Sequence, residues 1–222
     1  MEKNKLNDWW NINGNYKILH KINPLRINFI IQNYEKPIKK KNILDIGCGG
    51  GLISELLAKK KGLVLGIDEN IDNIKQAKKH ARENSINVNY KNLSLNSFYK
   101  KNNKKFDLIL CLEVLEHVDD VEKALNKISN LMKPDATLII STINRNLKSL
   151  VFAKIFGEYI LNWIPVGTHV FEKFLKPKEI VEKLKLKGIK TKKIKGMKFN
   201  PISNKWTISD NTNINYFLVA KK

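Results

Sequence analysis

The stretch Ile43-Leu44-Asp45-Ile46-Gly47-Cys48-Gly49-Gly50-Gly51-Leu52 decides the fold class. Its first four residues, apolar apart from Asp45, are typical of a buried strand, and the glycines that follow predict a tight turn before a helix. Because only glycine lets a backbone approach a bound ligand closely, this pattern indicates a platform for a nucleotide-containing cofactor. A turn with incidental glycines is the alternative, although four glycines in five positions are costly without a use.

The same stretch departs from the dinucleotide-binding fingerprint. G-x-G-x-x-G requires a third glycine where this chain has Leu52, and Asp45 before the first glycine is foreign to that pattern. The next predicted strand ends at Asp68, where a carboxylate can accept hydrogen bonds from both hydroxyls of a ribose. The sequence therefore predicts a ribose-containing cofactor bound at the ends of two neighbouring strands.

Strand-like and helix-like segments alternate along the chain. Strands are predicted over Asn42 to Ile46, Leu63 to Ile67, Val88 to Leu93, Phe106 to Leu112 and Thr137 to Ser141, and helices near 51–60, 70–84 and 120–132. This alternation predicts parallel strands with right-handed crossovers, hence a doubly wound α/β sheet. After a helix near Lys178 to Lys187, the runs Ile189 to Phe199 and Asn215 to Ala220 predict an antiparallel final hairpin, because the loop between them is too short for a crossover helix.

Composition and charge limit the class of protein. The 222 residues suit one domain, and no apolar run reaches the roughly 18 residues of a membrane span. The polar start, Met1 to Asp8, argues against a signal peptide, and Cys48 and Cys111 are expected to be reduced thiols in a cytoplasm.

The net charge of +20 arises from lysines spread along the chain, since only three of the 41 basic residues are arginines. This distribution disfavours specific nucleic-acid binding and leaves a general attraction to anionic surfaces, membrane headgroups among them.

Two levels of resemblance follow from the motifs. LDIGCGGG followed by GID is similar to the first two motifs of class I S-adenosylmethionine (SAM) methyltransferases. With Trp9-Trp10, the segment His20 to Arg26, the segment Glu113 to Val118 and Gly167-Thr168-His169, the chain over about residues 7–220 resembles the ubiquinone-biosynthesis O-methyltransferase family. The resemblance implies a Rossmann-like, seven-stranded, mostly parallel sheet with an antiparallel C-terminal hairpin and helices on both faces. It also implies one domain over 1–222, with an N-terminal helical segment at 1–40 and a helical insertion over the active site at 145–175.

The expected cofactor residues include one arginine near the N-terminus. Asn23 and Pro24 are typical of an N-cap and a first helical position, which places Arg26 in the first turn of a helix. In the resembled family the residue that matches Arg26 holds the cofactor's carboxylate, a task that suits a planar two-pronged donor; a solvated arginine is the alternative. The resemblance further implies that Gly47 lies under the methionine part of SAM, that Asp68 binds its ribose, that Leu112 lies beside the ribose, and that Ser94 and Leu95 flank the adenine.

Glu113, Glu116 and His117 directly follow the predicted fourth strand. In a helix their i, i+3, i+4 spacing brings all three toward one side. In eukaryotic relatives of the family the matching residues bind a divalent cation, so the resemblance implies a site for Mg²⁺ or another divalent metal, which would lower the pKa of a catechol hydroxyl. Superfamily members without a metal also carry E-x-x-E-H, and there His117 would act as a base or line the site, so the catalytic residue is not assigned.

An apolar stripe at helical spacing follows the fifth strand, from Val151 to Ile164. Such a helix covers the active site, lies in a membrane interface, or packs in the core. A polyprenyl phenol or catechol substrate favours the membrane role, and hence a cytoplasmic protein peripherally associated with the inner face of an anionic membrane. An association with other enzymes of quinone biosynthesis is expected on the same grounds.

The predicted function is SAM-dependent O-methylation of a polyprenylated catechol or hydroxyphenol in ubiquinone biosynthesis. An RNA 2′-O-methyltransferase is the first alternative, because such enzymes also carry E-x-x-E-H and the charge is suitable. A non-catalytic SAM-binding protein is the second.

Overall fold

The computed structural model describes residues 8–145, 174–200 and 205–222. Its helices are α1 (Lys17–Tyr34), α2 (Leu52–Lys59), α3 (Ile71–Glu83), α4 (Leu95–Lys101), α5 (Val121–Leu131) and α6 (Pro177–Lys185), with a 3-10 turn at Leu115–His117. Its strands are β1 (Asn42–Ile46), β2 (Leu63–Asp68), β3 (Asn89–Asn92), β4 (Phe106–Leu112), β5 (Met132–Ile143), β6 (Lys190–Asn200), β7 (Lys205–Ser209) and β8 (Asn215–Lys221).

The strands form one sheet in the order β3-β2-β1-β4-β5-β8-β6-β7. The first five in this order run parallel, which confirms the doubly wound half of the prediction. The last three are antiparallel, as expected for the C-terminal part.

The predicted count of seven strands is wrong, because the sheet has eight. The additional strand is β7, which lies in the connection between the two runs that were expected to form a simple hairpin. It pairs with β6 in antiparallel register, with Phe199 opposite Trp206. The rings of these two residues lie 5.2 Å apart, and this cross-strand aromatic pair helps to extend the sheet beyond β6.

The central strands are buried on both faces, as expected for a parallel sheet covered by helices. On β4, Ile109 and Cys111 pack with Leu125 and Ile128 of α5, whereas Leu108 and Leu110 pack on the opposite side with residues of α1 and α2. This double burial fixes the carboxyl ends of β1, β2 and β4 relative to one another, and the candidate site is built from the residues at those ends.

Helix α1 begins earlier than the sequence indicated. Asn23 and Pro24 lie inside it rather than at its start, so Arg26 is in its interior and not in its first turn. Pro24 removes one i→i−4 hydrogen bond, but contacts outside the helix stabilise its first turns. The Tyr16 ring stacks on Trp9 at 3.9 Å, and His20 Nε2 lies 2.8 Å from the carbonyl oxygen of Trp9.

Helix α4 was not predicted, and Ser94 is its N-cap, accepting a hydrogen bond from the Ser97 amide. Within the described ranges, no helix has the length and apolar character needed to cross a membrane.

Candidate active site

Two adjoining cavities lie at the carboxyl ends of β1, β2 and β4. The larger has a volume of about 320 Å³ and the smaller about 150 Å³. Asp68 lines the larger cavity and Arg26 the smaller one, whereas Trp9, Gly47 and Glu113 line both. A ligand that reaches from Arg26 to Asp68 therefore passes Gly47, which is the path expected for the amino-acid and nucleoside parts of one cofactor.

The glycine turn is anchored on the neighbouring strand. The amides of Gly47 and Cys48 both donate to the carbonyl oxygen of Ile67, at 2.8 and 3.0 Å. Gly47 has φ +67°, and a Cβ at this position would lie 2.3 Å from Val114 Cγ2. The turn therefore requires glycine here both for its backbone conformation and for the close approach of Val114.

Asp68 ends β2 beside the glycine turn. Its Oδ2 accepts from the Gly49 amide at 2.9 Å, and its Oδ1 accepts from the Asn70 amide at 2.8 Å and from Asn73 Nδ2 at 3.2 Å. A carboxylate offers about four acceptor positions, so about one remains for a ligand. Asp68 is thus placed at the cavity where the ribose was expected, and its contact with a ribose remains a prediction.

Arg26 is 7% exposed and lines the smaller cavity. Its Nη2 lies 3.5 Å from Glu113 Oε1, and among the described residues its Nε and the Oδ1 of neighbouring Asn23 are buried without a hydrogen-bond partner. Burial lowers the pKa of Arg26, while the charges of Glu113, Glu116 and Asp45 oppose that shift. A carboxylate would supply the acceptor that Arg26 lacks, and an ammonium group the donor that Asn23 lacks, so the amino-acid part of SAM fits this cavity.

Leu112 and Asp45 complete the wall of the smaller cavity. Leu112 is half-buried at the end of β4, where an apolar residue beside the cofactor was expected. Asp45 was not predicted as a site residue, yet it is buried and accepts a hydrogen bond from Ser54 Oγ. Desolvation by burial raises the pKa of Asp45 to about 6. Its position two residues before the first glycine was the only sequence signal.

Leu95 and Asn73 line the larger cavity. Leu95 thus lines the cavity and neighbouring Ser94 caps α4, and the contact of either residue with an adenine stays a prediction. Asn73 was missed, because an asparagine on an amphipathic helix carries no local signal of a role in binding.

Glu113 and Glu116 both accept hydrogen bonds from hydroxyl side chains of β5. Ser141 Oγ donates to Glu113 Oε1 at 2.7 Å, and Thr142 Oγ1 donates to Glu116 Oε2 at 2.8 Å. Burial, reinforced by the charge of Glu113, raises the pKa of Glu116 well above its ordinary value. Burial therefore favours the neutral form of the Glu116 carboxyl over its charged form.

The three residues predicted as metal ligands are not arranged on an α-helix as the sequence analysis expected. The chain forms a 3-10 turn at Leu115–His117 instead of an α-helix, and Glu116 is 4% exposed whereas His117 is exposed and lines the larger cavity. Burial disfavours a charged Glu116, and Glu113 already faces Arg26 and Ser141. Over 8–145, 174–200 and 205–222, no group of three His, Cys, Asp or Glu residues is placed to hold a metal ion.

The apolar stripe from Val151 to Ile164 and the Gly167-Thr168-His169 segment lie outside the described residues.

Comparison with known proteins gives a consistent result at the level of sequence. A family model described as a methyltransferase domain matches residues 38–197. A ubiquinone biosynthesis O-methyltransferase of Pelagibacter ubique (strain HTCC1062) is 42% identical in an alignment of 218 positions that covers 94% of this chain and 90% of the relative. The protein of the same name from Actinobacillus pleuropneumoniae serotype 5b (strain L20) is 38% identical over 217 residues, covering 96% of this chain and 92% of that one.

Solved structures are similar in fold. The crystal structure of magnesium protoporphyrin IX methyltransferase from Synechocystis PCC 6803 with bound SAH has a TM-score of 0.68 at 20% identity, covering 93% of this chain and 84% of that chain. A SAM-dependent methyltransferase from Methanosarcina mazei has a TM-score of 0.62 at 23% identity, covering 87% of this chain and 96% of that chain. The fold of SAM-dependent methyltransferases is thus shared over most of the chain.

Proposed function

The chain belongs to the ubiquinone biosynthesis O-methyltransferase family, and on that basis we propose that it transfers a methyl group from SAM to a hydroxyl of a polyprenylated catechol or hydroxyphenol. The observation that carries the proposal is the pair of adjoining cavities, with a buried and incompletely bonded arginine in one and the Asp68 carboxylate in the other. Arg26 would hold the cofactor's carboxylate, Gly47 would lie under its methionine part, Asp68 would accept from its ribose, and Leu112 would contact it beside the ribose.

SAM supplies a methyl group on a sulfonium, which is a good leaving group and needs little covalent help. The protein's part is to align the acceptor oxygen with the methyl group and to remove its proton. His117 is exposed at the wall of the larger cavity, and we assign it the role of the proton acceptor. Glu116, buried and accepting a hydrogen bond from Thr142, would hold the segment from Glu113 to His117 against β5.

Methyl transfer from radiolabelled SAM tests the proposal directly. We expect label in a short-chain prenyl catechol and none in the same compound with both hydroxyls methylated, since no acceptor oxygen remains. A parallel assay with RNA distinguishes the alternative: label in RNA and not in the catechol would replace the proposed substrate class. Binding of SAM without transfer to any phenol would instead favour a non-catalytic protein.

A divalent cation at Glu113, Glu116 and His117 remains a proposal that rests on the family resemblance alone. Alanine at any of these positions is expected to abolish transfer while SAM still binds, because these residues serve the acceptor. If a cation takes part, exhaustive chelation has the same effect and added Mg²⁺ or Zn²⁺ restores the rate. A rate that survives metal stripping would leave His117 as a metal-free base.

We also propose peripheral contact with an anionic membrane, supported by the net charge of +20 and by the apolar stripe in the sequence. Cosedimentation with anionic liposomes is expected, weakened by salt and by the double variant Phe152→Asp with Phe156→Asp. The matched control, Phe152→Leu with Phe156→Leu, keeps the apolar character and should keep binding. Liposome binding that is equal in both double variants would place the contact elsewhere.

In the same proposal, residues 1–222 form one methyltransferase domain, with 1–40 as its N-terminal segment and 145–175 over the active site. Quinone-biosynthesis enzymes are the expected neighbours at that membrane, and copurification from membranes is the measurement.

A further inference from the structure

A two-residue segment, Trp9-Trp10, crosses the glycine turn and is bound on several sides. The Trp9 amide donates to Gln76 Oε1 at 3.0 Å, and its indole Nε1 donates to Asn73 Oδ1 at 2.9 Å. The Trp9 carbonyl oxygen lies 2.8 Å from His20 Nε2. A segment near the N-terminus is thus attached to both α3 and α1 through hydrogen bonds that span up to 67 residues of sequence.

The absence of side chains at Gly49 and Gly50 makes room for Trp9. A Cβ on Gly49 would lie 2.4 Å from Trp9 Cη2, and a Cβ on Gly50 would lie 2.2 Å from Trp9 Cγ. Carbon atoms that are not bonded do not approach this closely, so any side chain here would displace the indole. These two glycines therefore accommodate a side chain of the protein itself, in addition to any approach of a ligand.

Trp10 fastens the segment from the other side. Its Nε1 donates to the carbonyl oxygen of Gly50 at 3.0 Å, and its ring stacks on His80 with a centroid distance of 3.4 Å and an angle of 2°. His80 Nδ1 in turn lies 2.9 Å from the carboxylate of Glu55, which is buried. Trp10 lines neither of the two cavities, so its contacts hold the segment without touching the cofactor's path.

One side chain connects this segment to the ribose position. Asn73 accepts from Trp9 Nε1 through its Oδ1 and donates through its Nδ2 to Asp68 Oδ1 at 3.2 Å, the longest of the three hydrogen bonds that Asp68 accepts. Because Asp68 has about one acceptor position left, a ribose with two hydroxyls takes the position that Asn73 occupies. Binding at Asp68 therefore changes the partner of the residue that anchors Trp9.

We infer that Trp9-Trp10 is a clasp over the cofactor site, which must open for SAM to enter and for its demethylated product to leave, and whose closure is linked to ribose binding through Asn73. The inference rests on the proposed function, since it needs a cofactor that runs from Arg26 to Asp68. Trp9 lines both cavities, so such a cofactor lies beneath its indole. Opening requires the Trp10 contacts to break first, because they hold the segment to Gly50 and His80.

The experiment measures cofactor exchange, without any methyl acceptor. Radiolabelled SAM is bound, excess unlabelled SAH is added, and the release of label is followed by rapid filtration. Trp10→Ala is expected to release SAM at least about tenfold faster than the wild type, with no decrease in the association rate, because the site itself is intact. Lys75→Ala, an exposed position on the same helix α3, is the matched control and should release at the wild-type rate.

Two further variants examine the anchor and the link. Trp9→Phe keeps a ring over the glycines but loses the hydrogen bond to Asn73, and faster release is expected. In the wild type, SAH should slow hydrogen exchange of the Trp9 indole Nε1–H, which bonds to Asn73, and Asn73→Ala should remove that protection while SAH still binds.

The outcomes are distinct for the clasp and for the proposed function. If Trp10→Ala releases SAM at the wild-type rate, the clasp is refuted. If Trp10→Ala fails to fold by circular dichroism, Trp10→Phe decides the question, because it keeps the stack on His80 and loses only the bond to Gly50; an unchanged rate there refutes the clasp equally. A wild-type protein that binds neither SAM nor SAH would refute the proposed function instead.

Discussion

Replacing Asp68 by alanine should weaken SAH binding by an amount that the hydrogen bonds of the free protein limit. Asp68 already accepts from the amides of Gly49 and Asn70 and from the side chain of Asn73. A first ribose hydroxyl takes the acceptor position that remains, and it forms a new bond to a charged group. A second hydroxyl replaces Asn73, which exchanges one hydrogen bond for another at little net gain.

The expected loss is therefore about 2 kcal/mol, near the middle of the range for one hydrogen bond to a charged partner and less than two such bonds would give. At about 1.4 kcal/mol for each tenfold change, this corresponds to roughly thirtyfold in Kd. The free energy of unfolding should fall by about 1–2 kcal/mol, because the exposed Asn70 amide can bond to water whereas the amide of buried Gly49 loses its acceptor. Asp68→Asn should weaken SAH binding and stability at least as much as Asp68→Ala. The amides of Gly49 and Asn70 donate to different carboxylate oxygens, so in either orientation the asparagine NH₂ would meet another N–H donor.

Isothermal titration calorimetry with SAH measures the loss of affinity, and urea denaturation measures the loss of stability. Asp72→Ala is the matched control, because Asp72 is exposed and pairs with Lys75 on the outside of α3. An Asp68→Ala protein that stays folded and binds SAH within about threefold of the wild type would refute the assignment of Asp68 to the ribose.

Three further outcomes are expected from residues at the site. Burial raises the pKa of Asp45 from 3.8 to about 6, so the stability that its protonated form contributes is complete below pH 4 and is lost as the pH rises through 6. Over this window the unfolding free energy of the wild type, measured by urea denaturation, should fall relative to that of Asp45→Asn by up to about 3 kcal/mol. Gly47→Ala should lower the unfolding free energy by about 2–3 kcal/mol in urea denaturation. Adding Val114→Ala should recover all of this loss except the roughly 1 kcal/mol of left-handed backbone strain. No recovery would mean that the 2.3 Å approach of the new Cβ to Val114 Cγ2 is not the cause. Because burial raises the pKa of Glu116 and so favours its neutral form, Glu116→Gln should change the unfolding free energy at pH 7 by less than about 1 kcal/mol. A larger loss would contradict a neutral carboxyl at this position.

Local patterns were sufficient for the central half of the fold. The predicted strands Asn42 to Ile46 and Phe106 to Leu112 have the observed bounds of β1 and β4. These strands are buried on both faces, so their continuous apolar runs predict a strand without information from the rest of the chain. The glycine turn could also be predicted from the sequence, because its backbone conformation excludes most residues other than glycine.

Boundaries that depend on distant contacts were predicted less well. The start of α1 was placed at Asn23, although Tyr16 and His20 contact Trp9 and extend the helix through Pro24. Strand β7 was missed because its five residues form a strand only by pairing with β6. In both cases the residues that stabilise the element lie in another segment, so the secondary-structure propensity of the element's own residues does not predict it.

The sequence by itself determined the class of the protein and predicted which residues bind the two ends of its cofactor, because strand, glycine turn and carboxylate follow one another at fixed local spacing. Only the tertiary structure decided which side chains are buried and which hydrogen-bond partners they have. It buried Glu116 while leaving His117 exposed, and it joined Trp9 to Asp68 through Asn73. Burial shifts the pKa of a carboxyl group, and the number of lone pairs limits how many hydrogen bonds an oxygen atom can accept. Both effects depend on neighbouring residues that folding brings together from distant parts of the chain.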